Sequence, residues 1–189
     1  TASYDNVSFG VGAQASLPVA LAFSSDGTKM YIVDNTSAAV YQYTLSTAWD
    51  LGSASYDSVL LDVGGQEGSP GGLAFSSDGT KMYVAGDATD AVYQYTLSTA
   101  WDLGSASFAS KSFGVGAQDG VPAGVIFSLD GTKMYVTGFD TSTVYQYTLS
   151  TAWDISTASF NTVSFGVGAE DGAPQGVAFS SDGTNMYMT

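Results

Sequence analysis

The most informative stretch of the sequence is Phe75-Ser-Ser-Asp-Gly-Thr-Lys-Met-Tyr-Val84. Close copies of it recur every 52 residues, each beginning at a phenylalanine: Phe23, Phe75, Phe127 and Phe179. The Asp-Gly pair supplies the positive φ angles of a tight hairpin turn, and the aromatic and β-branched residues on either side are typical of strands. The stretch therefore predicts two antiparallel strands joined by a hairpin, repeated along the chain.

The repeat fills the chain without insertion or deletion, as the units 1–52, 53–104 and 105–156 and a partial unit 157–189, or about 3.6 repeats. Four strand-like runs follow one another at 19–23, 29–33, 40–45 and 54–60, within the length of one repeat. Four antiparallel strands per unit of this length are typical of a propeller blade. We predict an all-β chain forming one β-propeller array of 52-residue four-stranded blades. A β-solenoid is the alternative, although its rungs are usually shorter.

The quoted stretch resembles the YVTN-type and lactonase-like propeller repeats of prokaryotic proteins, and the tandem propeller repeats of bacteria and phages. The resemblance extends over every unit. It implies a blade but no particular activity. Lactonase-like propellers hold a metal with acidic and amide residues, and no such set can be mapped onto this chain.

Composition restricts the chemistry and the partners. The chain contains neither histidine nor cysteine, so a Ser/His/Asp triad, a Cys/His pair and the usual zinc sites are excluded, and carboxylate chemistry remains. The formal net charge of −14 repels a nucleic-acid backbone and an anionic membrane surface. No apolar run reaches the ~18 residues of a membrane span. We therefore expect no nucleic-acid partner and no membrane insertion.

These observations favour a non-enzymatic binding module, located outside the cell or on a cell or virion surface, with a protein or glycan as its partner. One alternative is a purely structural repeat that builds rings or fibres, and another is a lactonase-like hydrolase. No cofactor is expected. Calcium is the alternative, because it prefers oxygen ligands and acidic residues cluster in several loops: Asp87 with Asp90, Asp119, and Glu170 with Asp171.

Comparison of the repeats with one another separates two kinds of connection. Residues 40–50 recur unchanged at 92–102 and 144–154, whereas the loops 32–39, 84–91 and 136–143 share no position in all three units. The loop entering the first strand of each unit also varies. In a propeller the two variable loops lie on one rim, and binding usually resides in loops on a rigid scaffold. The predicted contact residues are Asp34, Asn35, Asp87, Asp90, Phe139 and Asp140 in one loop, and Glu67, Asp119, Glu170 and Asp171 in the other.

The predicted strands also suggest self-association. A further strand is predicted at 2–10, and the predicted strands together are one short of four complete blades. Propellers usually have four to eight blades. We therefore expect two copies to combine into one ring of about eight blades.

Overall fold

A computed structural model describes residues 3–189, which form four antiparallel sheets. The first sheet contains β1 (Pro18–Phe23), β2 (Lys29–Asp34), β3 (Ala39–Leu45) and β4 (Ala54–Asp62). The second contains β5 (Pro70–Phe75), β6 (Lys81–Gly86), β7 (Ala91–Leu97) and β8 (Ala106–Gly114). The third contains β9 (Pro122–Phe127), β10 (Lys133–Gly138), β11 (Thr143–Leu149) and β12 (Ala158–Gly166). The fourth consists of β13 (Val177–Phe179) and β14 (Met186–Met188).

Each hairpin between the first two strands of a sheet is held by its aspartate. In the first sheet the Asp26 carboxylate accepts hydrogen bonds from the Ser24 hydroxyl at 2.6 Å and from the Thr28 backbone at 3.0 Å. Gly27 has a φ of 71°, and the indole of Trp49 lies where a Cβ on Gly27 would project. Glycine is therefore required here by both the turn and the indole.

The third and fourth strands are joined by one short 3₁₀ turn in each complete sheet: Leu51–Ser53, Leu103–Ser105 and Ile155–Thr157. The preceding aspartate caps each turn, as Asp102 does by accepting from the Gly104 backbone. Across the junction between sheets, the Leu103 backbone donates to the Gln42 side chain at 2.7 Å. The repeated Gln and Trp-Asp segments thus link the first sheet to the second and the second to the third.

Successive sheets pack through one repeated aromatic contact. The Tyr31 ring lies 4.5 Å from that of Phe75 in the next sheet, and its hydroxyl donates to the Trp101 carbonyl at 2.5 Å. Tyr83 repeats both contacts, with Phe127 and Trp153. The first strands of neighbouring sheets contact one another and line a common channel. The core consists of the apolar layers between the sheets.

The all-β prediction is confirmed, and the architecture is propeller-like: an open row of four sheets, where the repeat count suggested about 3.6. Four successive strands pair with each other in one sheet, which the strands of a solenoid rung do not do. Within residues 3–189, no helix is long and apolar enough to cross a membrane.

The strand predicted at 2–10 is wrong for residues 3–10, which form no strand, while Ala2 lies outside the described residues. These residues nevertheless pack as a fourth strand would. Phe9 meets Tyr43 edge-on at 5.6 Å, as Phe113 of β8 meets Tyr147 at 5.4 Å. Among the described residues no third strand lies beside this segment, so its backbone has no partner for a ladder.

Candidate functional site

The two variable loops of each sheet meet on one rim, as the sequence predicts. The backbone of Asn35 donates to Leu17, that of Asp87 to Ser69, and that of Phe139 to Val121, at 3.0, 3.3 and 3.0 Å. We call this side of the array the variable rim, comprising 34–39 and 11–17 with their equivalents. The opposite side, comprising the hairpins 24–28 and connections 46–53 with their equivalents, is the uniform rim.

A cleft opens at the variable rim where the first strands converge. Its volume is about 150 Å³. Ten residues line it: Val19, Asn35, Ser69, Gly71, Asp87, Val121, Pro122, Ala123, Phe139 and Gln175. Towards the uniform rim, a space of about 330 Å³ continues between the first strands of all four sheets. We call the first space the axial cleft.

The lining of the axial cleft comes from equivalent positions that carry different side chains. Asn35, Asp87 and Phe139 are 52 residues apart, and each directly follows the second strand of its sheet. A second equivalent set consists of Val19, Gly71, Ala123 and Gln175. A nearly exact repeat therefore surrounds this cleft with an amide, a carboxylate, an aromatic ring and a second amide.

Two of these side chains have distinct settings. The Asn35 amide nitrogen donates to the Ser69 hydroxyl at 3.0 Å and to the Pro70 carbonyl at 3.1 Å, so Asn35 is anchored to the next sheet. Asp87 and Phe139 are exposed at the mouth of the cleft. The arrangement offers an exposed carboxylate beside a fixed amide, and both can contact a small polar molecule.

Three other predicted contact residues are buried, and in this they differ from the prediction. Asp34, Glu67 and Asp119 are 1%, 0% and 3% exposed. Glu67 accepts hydrogen bonds from the Ser69 backbone, the Ala88 backbone and the Thr89 hydroxyl. These carboxylates hold the two variable loops together and do not reach a partner. A buried carboxylate needs such donors to remain charged.

The buried carboxylate accepts hydrogen bonds from equivalent donors in each complete sheet, although the acidic residue occupies one of two different positions in the repeat. In the first sheet Asp34 accepts from the Leu17 backbone and from the Ser37 backbone and hydroxyl. In the third sheet Asp119 accepts from the equivalent donors on Val121 and Thr141. Burial alone would raise the pKa of Asp34, but the hydrogen bonds from Leu17 and Ser37 outweigh it and the pKa lies below its usual value.

Sequence reasoning missed this exchange, although the aligned repeats carry a signal for it. The two positions are the last residue of the second strand and a residue in the loop before the first strand. The first sheet has Asp34 and Ala15 there, whereas the second has Gly86 and Glu67 and the third has Gly138 and Asp119. A Cβ on Gly138 would collide with the Asp119 carboxylate. One acid and one small residue therefore alternate because only one carboxylate fits.

The remaining predicted residues are scattered. Asp140 and Glu170 are exposed, Asp90 is partly buried, and Asp171 accepts a hydrogen bond from the Ala173 backbone at 2.9 Å. Among residues 3–189, no three Asp, Glu, His or Cys side chains are grouped closely enough to hold a metal ion. The acidic loops proposed for calcium do not converge.

No family model and no curated protein matches the chain. Solved structures do. A protein from Lactobacillus plantarum has a TM-score of 0.64 at 19% identity, over 91% of this chain and 47% of that one. A protein from Bacteroides uniformis that is named 6-phosphogluconolactonase has a TM-score of 0.62 at 14% identity, over 91% of this chain and 49% of that one. The periplasmic gluconolactonase of Pseudomonas aeruginosa has a TM-score of 0.59 at 18% identity, over 91% of this chain and 42% of that one.

The chain spans about half the length of these proteins or less, and identities this low establish the fold alone. The neighbours are consistent with the lactonase-like propeller resemblance. Our prediction of a non-enzymatic binding or structural module is contradicted, because structural neighbours of this chain are named 6-phosphogluconolactonase and gluconolactonase. The absence of histidine does not exclude hydrolysis, since a carboxylate can also activate water.

Proposed function

We propose that the chain forms part of a lactonase-like hydrolase whose substrate binds in the axial cleft. The observation that carries the proposal is the unequal lining of that cleft by Asn35, Asp87, Phe139 and Gln175 within a nearly exact repeat. Identical sheets would surround the axis with identical side chains. Different side chains at equivalent positions suit a small, asymmetric molecule such as a sugar lactone. The lactonase names of the fold neighbours support the same reaction class.

Hydrolysis of a lactone needs a base for the attacking water. Asp87 is the carboxylate in the lining of the cleft, and we assign it this role. The water oxygen bonds to the lactone carbonyl carbon while Asp87 takes one of its protons. The bond from that carbon to the ring oxygen then breaks, and the ring oxygen receives the proton, which yields the open hydroxy acid. Asp87 ends the cycle as a carboxylate.

The other polar side chains orient the substrate. Because the Asn35 amide nitrogen is bound to Ser69 and Pro70, its carbonyl oxygen serves as an acceptor for a substrate hydroxyl. Gln175 supplies amide donors to the carbonyl oxygen, where negative charge develops during attack. Phe139 offers an apolar edge to the sugar ring. These roles use the residues in which the repeats differ.

Charge favours an uncharged lactone over a phosphorylated one. The chain carries a formal net charge of −14, and the cleft itself contains a carboxylate. Both repel a phosphate group. An extracellular or cell-surface location belongs to the same proposal, and the periplasmic gluconolactonase among the fold neighbours supports it.

The test measures hydrolysis of D-glucono-δ-lactone at constant pH, with the 6-phosphorylated lactone as the comparison substrate. We expect hydrolysis above the buffer rate for the uncharged lactone, and a rate lower by about 100-fold in Asp87→Asn, since a positioned base contributes about that much. Asp140→Asn is the matched control, because Asp140 is exposed on the same rim outside the cleft lining, and its rate should not change.

Three results would each contradict a part of the proposal. If the unaltered chain hydrolyses the lactone no faster than buffer alone does, the proposed hydrolase activity is wrong. Full activity in Asp87→Asn removes the assignment of the base, and faster turnover of the phosphorylated lactone removes the charge argument.

A further inference from the structure

The two outer faces of the sheet row lack contacts that every inner junction makes. Leu21 on β1 is 55% exposed, whereas its equivalents Leu73, Val125 and Val177 are 7%, 2% and 9% exposed. Those three are covered by the preceding sheet, as Leu73 is by Tyr31 and Val33. Among the described residues no sheet precedes β1, so Leu21 meets solvent.

The same asymmetry affects the aromatic contact at each end. Trp49 is 60% exposed, while Trp101 and Trp153 are partly buried and accept hydrogen bonds from Tyr31 and Tyr83. At the other end Tyr187 is 58% exposed, although its equivalents Tyr31 and Tyr83 are fully buried. The first sheet therefore exposes a tryptophan carbonyl beside an apolar surface, and the fourth sheet exposes the tyrosine whose equivalents contact such a surface elsewhere in the chain.

We propose that these two faces bind each other between copies of this chain. The fourth sheet of one copy docks on the first sheet of a second copy, through the contacts that join neighbouring sheets within the chain. In the 52-residue register, Tyr187 meets Phe23 of the second copy as Tyr135 meets Phe179 at 4.8 Å. Its hydroxyl donates to the Trp49 carbonyl of the second copy, as Tyr83 donates to Trp153.

The packing of the N-terminal segment indicates that a second copy of this chain, rather than an unrelated protein, covers these faces. Phe9 already lies against Tyr43 in the geometry that a preceding sheet's fourth strand adopts. A docked copy brings its residues 7–11 to the place of the fourth strand beside the other copy's β14 sheet. Two such junctions close a ring of about eight blades, within the range of known propellers. Closure buries the exposed apolar residues at both ends, including Leu21.

The experiment is sedimentation velocity at high micromolar protein concentration. We expect twice the 19.4 kDa mass for the unaltered chain. Association should strengthen with added salt, because each copy carries a charge of −14 and the contact is apolar. Leu21→Lys should give the single-chain mass. Leu129→Lys is the matched control, since Leu129 is 73% exposed and its equivalents Ser25, Ser77 and Ser181 are exposed as well.

A single-chain mass for the unaltered protein overturns the proposal, and so does a dimer that persists in Leu21→Lys with unchanged circular dichroism. Cross-linking tests the orientation, which is straightforward in a chain without cysteine. Leu21→Cys and Tyr187→Cys proteins, treated with a bifunctional thiol reagent, should cross-link when mixed and hardly at all when separate. Equal cross-linking of the separate proteins shows a face-to-face dimer and overturns the head-to-tail arrangement.

A longer chain provides a second variant. Neither copy's described residues fill the third-strand place between β14 and the incoming segment 7–11. Appending a copy of residues 138–156 after Thr189 supplies that strand in register. We expect at least a tenfold lower dissociation constant for the dimer. An unchanged or weaker dimer contradicts the proposed junction.

Discussion

The two rims of the sheet row are built from the same repeat but tolerate sequence change very differently. On the uniform rim the hairpin contacts recur in every complete sheet, as when Gly27, Gly79 and Gly131 each face the indole of their own sheet's tryptophan. On the variable rim the donors around the buried carboxylate are kept, but the acid itself comes from Asp34, Glu67 or Asp119. Repetition of contacts, rather than distance from solvent, therefore decides which positions are constant.

The variable rim in turn contains two populations of residues. Buried acids hold its loops together, while Asn35, Asp87 and Phe139 face the axial cleft. Acidic residues in neighbouring positions thus have unrelated roles. The following predictions test this division, beginning with the largest expected effect.

Replacing a uniform-rim glycine should be the most destabilising change. Gly79→Ala places a methyl group on the Trp101 indole and forces alanine to a φ of 70°, which together cost about 3 kcal/mol. Gly183→Ala is the control, because Gly183 has a φ of 71° and open space around its Cβ position, so only about 1 kcal/mol of backbone strain remains. Urea unfolding followed by circular dichroism measures both. Equal losses would show that the indole contact contributes nothing.

Moving the buried carboxylate should be tolerated, whereas removing it should not. Asp119→Ala leaves the donors on Val121 and Thr141 without an acceptor and should cost about 2 kcal/mol. The double variant Asp119→Ala/Gly138→Asp copies the Ala15 and Asp34 arrangement of the first sheet and should recover most of that stability. Gly138→Asp alone should destabilise, since two carboxylates would then share one place. A double variant no more stable than Asp119→Ala would refute the equivalence of the two positions.

Exchanging a whole variable loop should change the cleft and spare the fold. Replacing 136–143 by the sequence of 84–91 keeps Gly138 and Thr141, which the buried Asp119 requires, and replaces Phe139 by aspartate. We expect a loss of stability below about 1 kcal/mol, typical of surface substitutions. Lactone hydrolysis should fall because the cleft then holds two carboxylates. Unfolding of the chimera would mean that this loop has structural contacts beyond the carboxylate.

The smallest expected effect is the change in stability at low pH. Hydrogen bonds from the serine and threonine partners lower the pKa of the hairpin aspartates Asp26, Asp130 and Asp182 to about 2. A lowered pKa in the fold means that the stabilisation is complete above the ordinary value of 3.8 and is lost as the pH falls through about 2. Carbon-detected NMR titration of the carboxyl groups measures this. A hairpin aspartate that titrates near 3.8 would show that its turn contacts are absent in solution.

Much of the fold could be predicted because its signals are local. The Asp-Gly turn and the 52-residue period predicted the strands Lys29–Asp34 and Ala39–Leu45 to within a residue, and also placed the two variable loops on one rim. The segment 3–10 was predicted wrongly because a strand requires a neighbour, and a β-like composition does not provide one. Its apolar residues still pack as predicted for a fourth strand.

For the site, the repeat comparison identified the loops, whereas the division of labour within them depends on three-dimensional proximity. Asp34 and Asp87 are both acids at the end of a second strand, yet one is buried among donors from another loop and the other faces solvent. Periodicity and turn chemistry act over a few residues along the chain and are visible in the sequence. Burial of a carboxylate, convergence of four first strands on one cleft and exposure of Leu21 depend on which sheets are adjacent, because they are properties of packed surfaces.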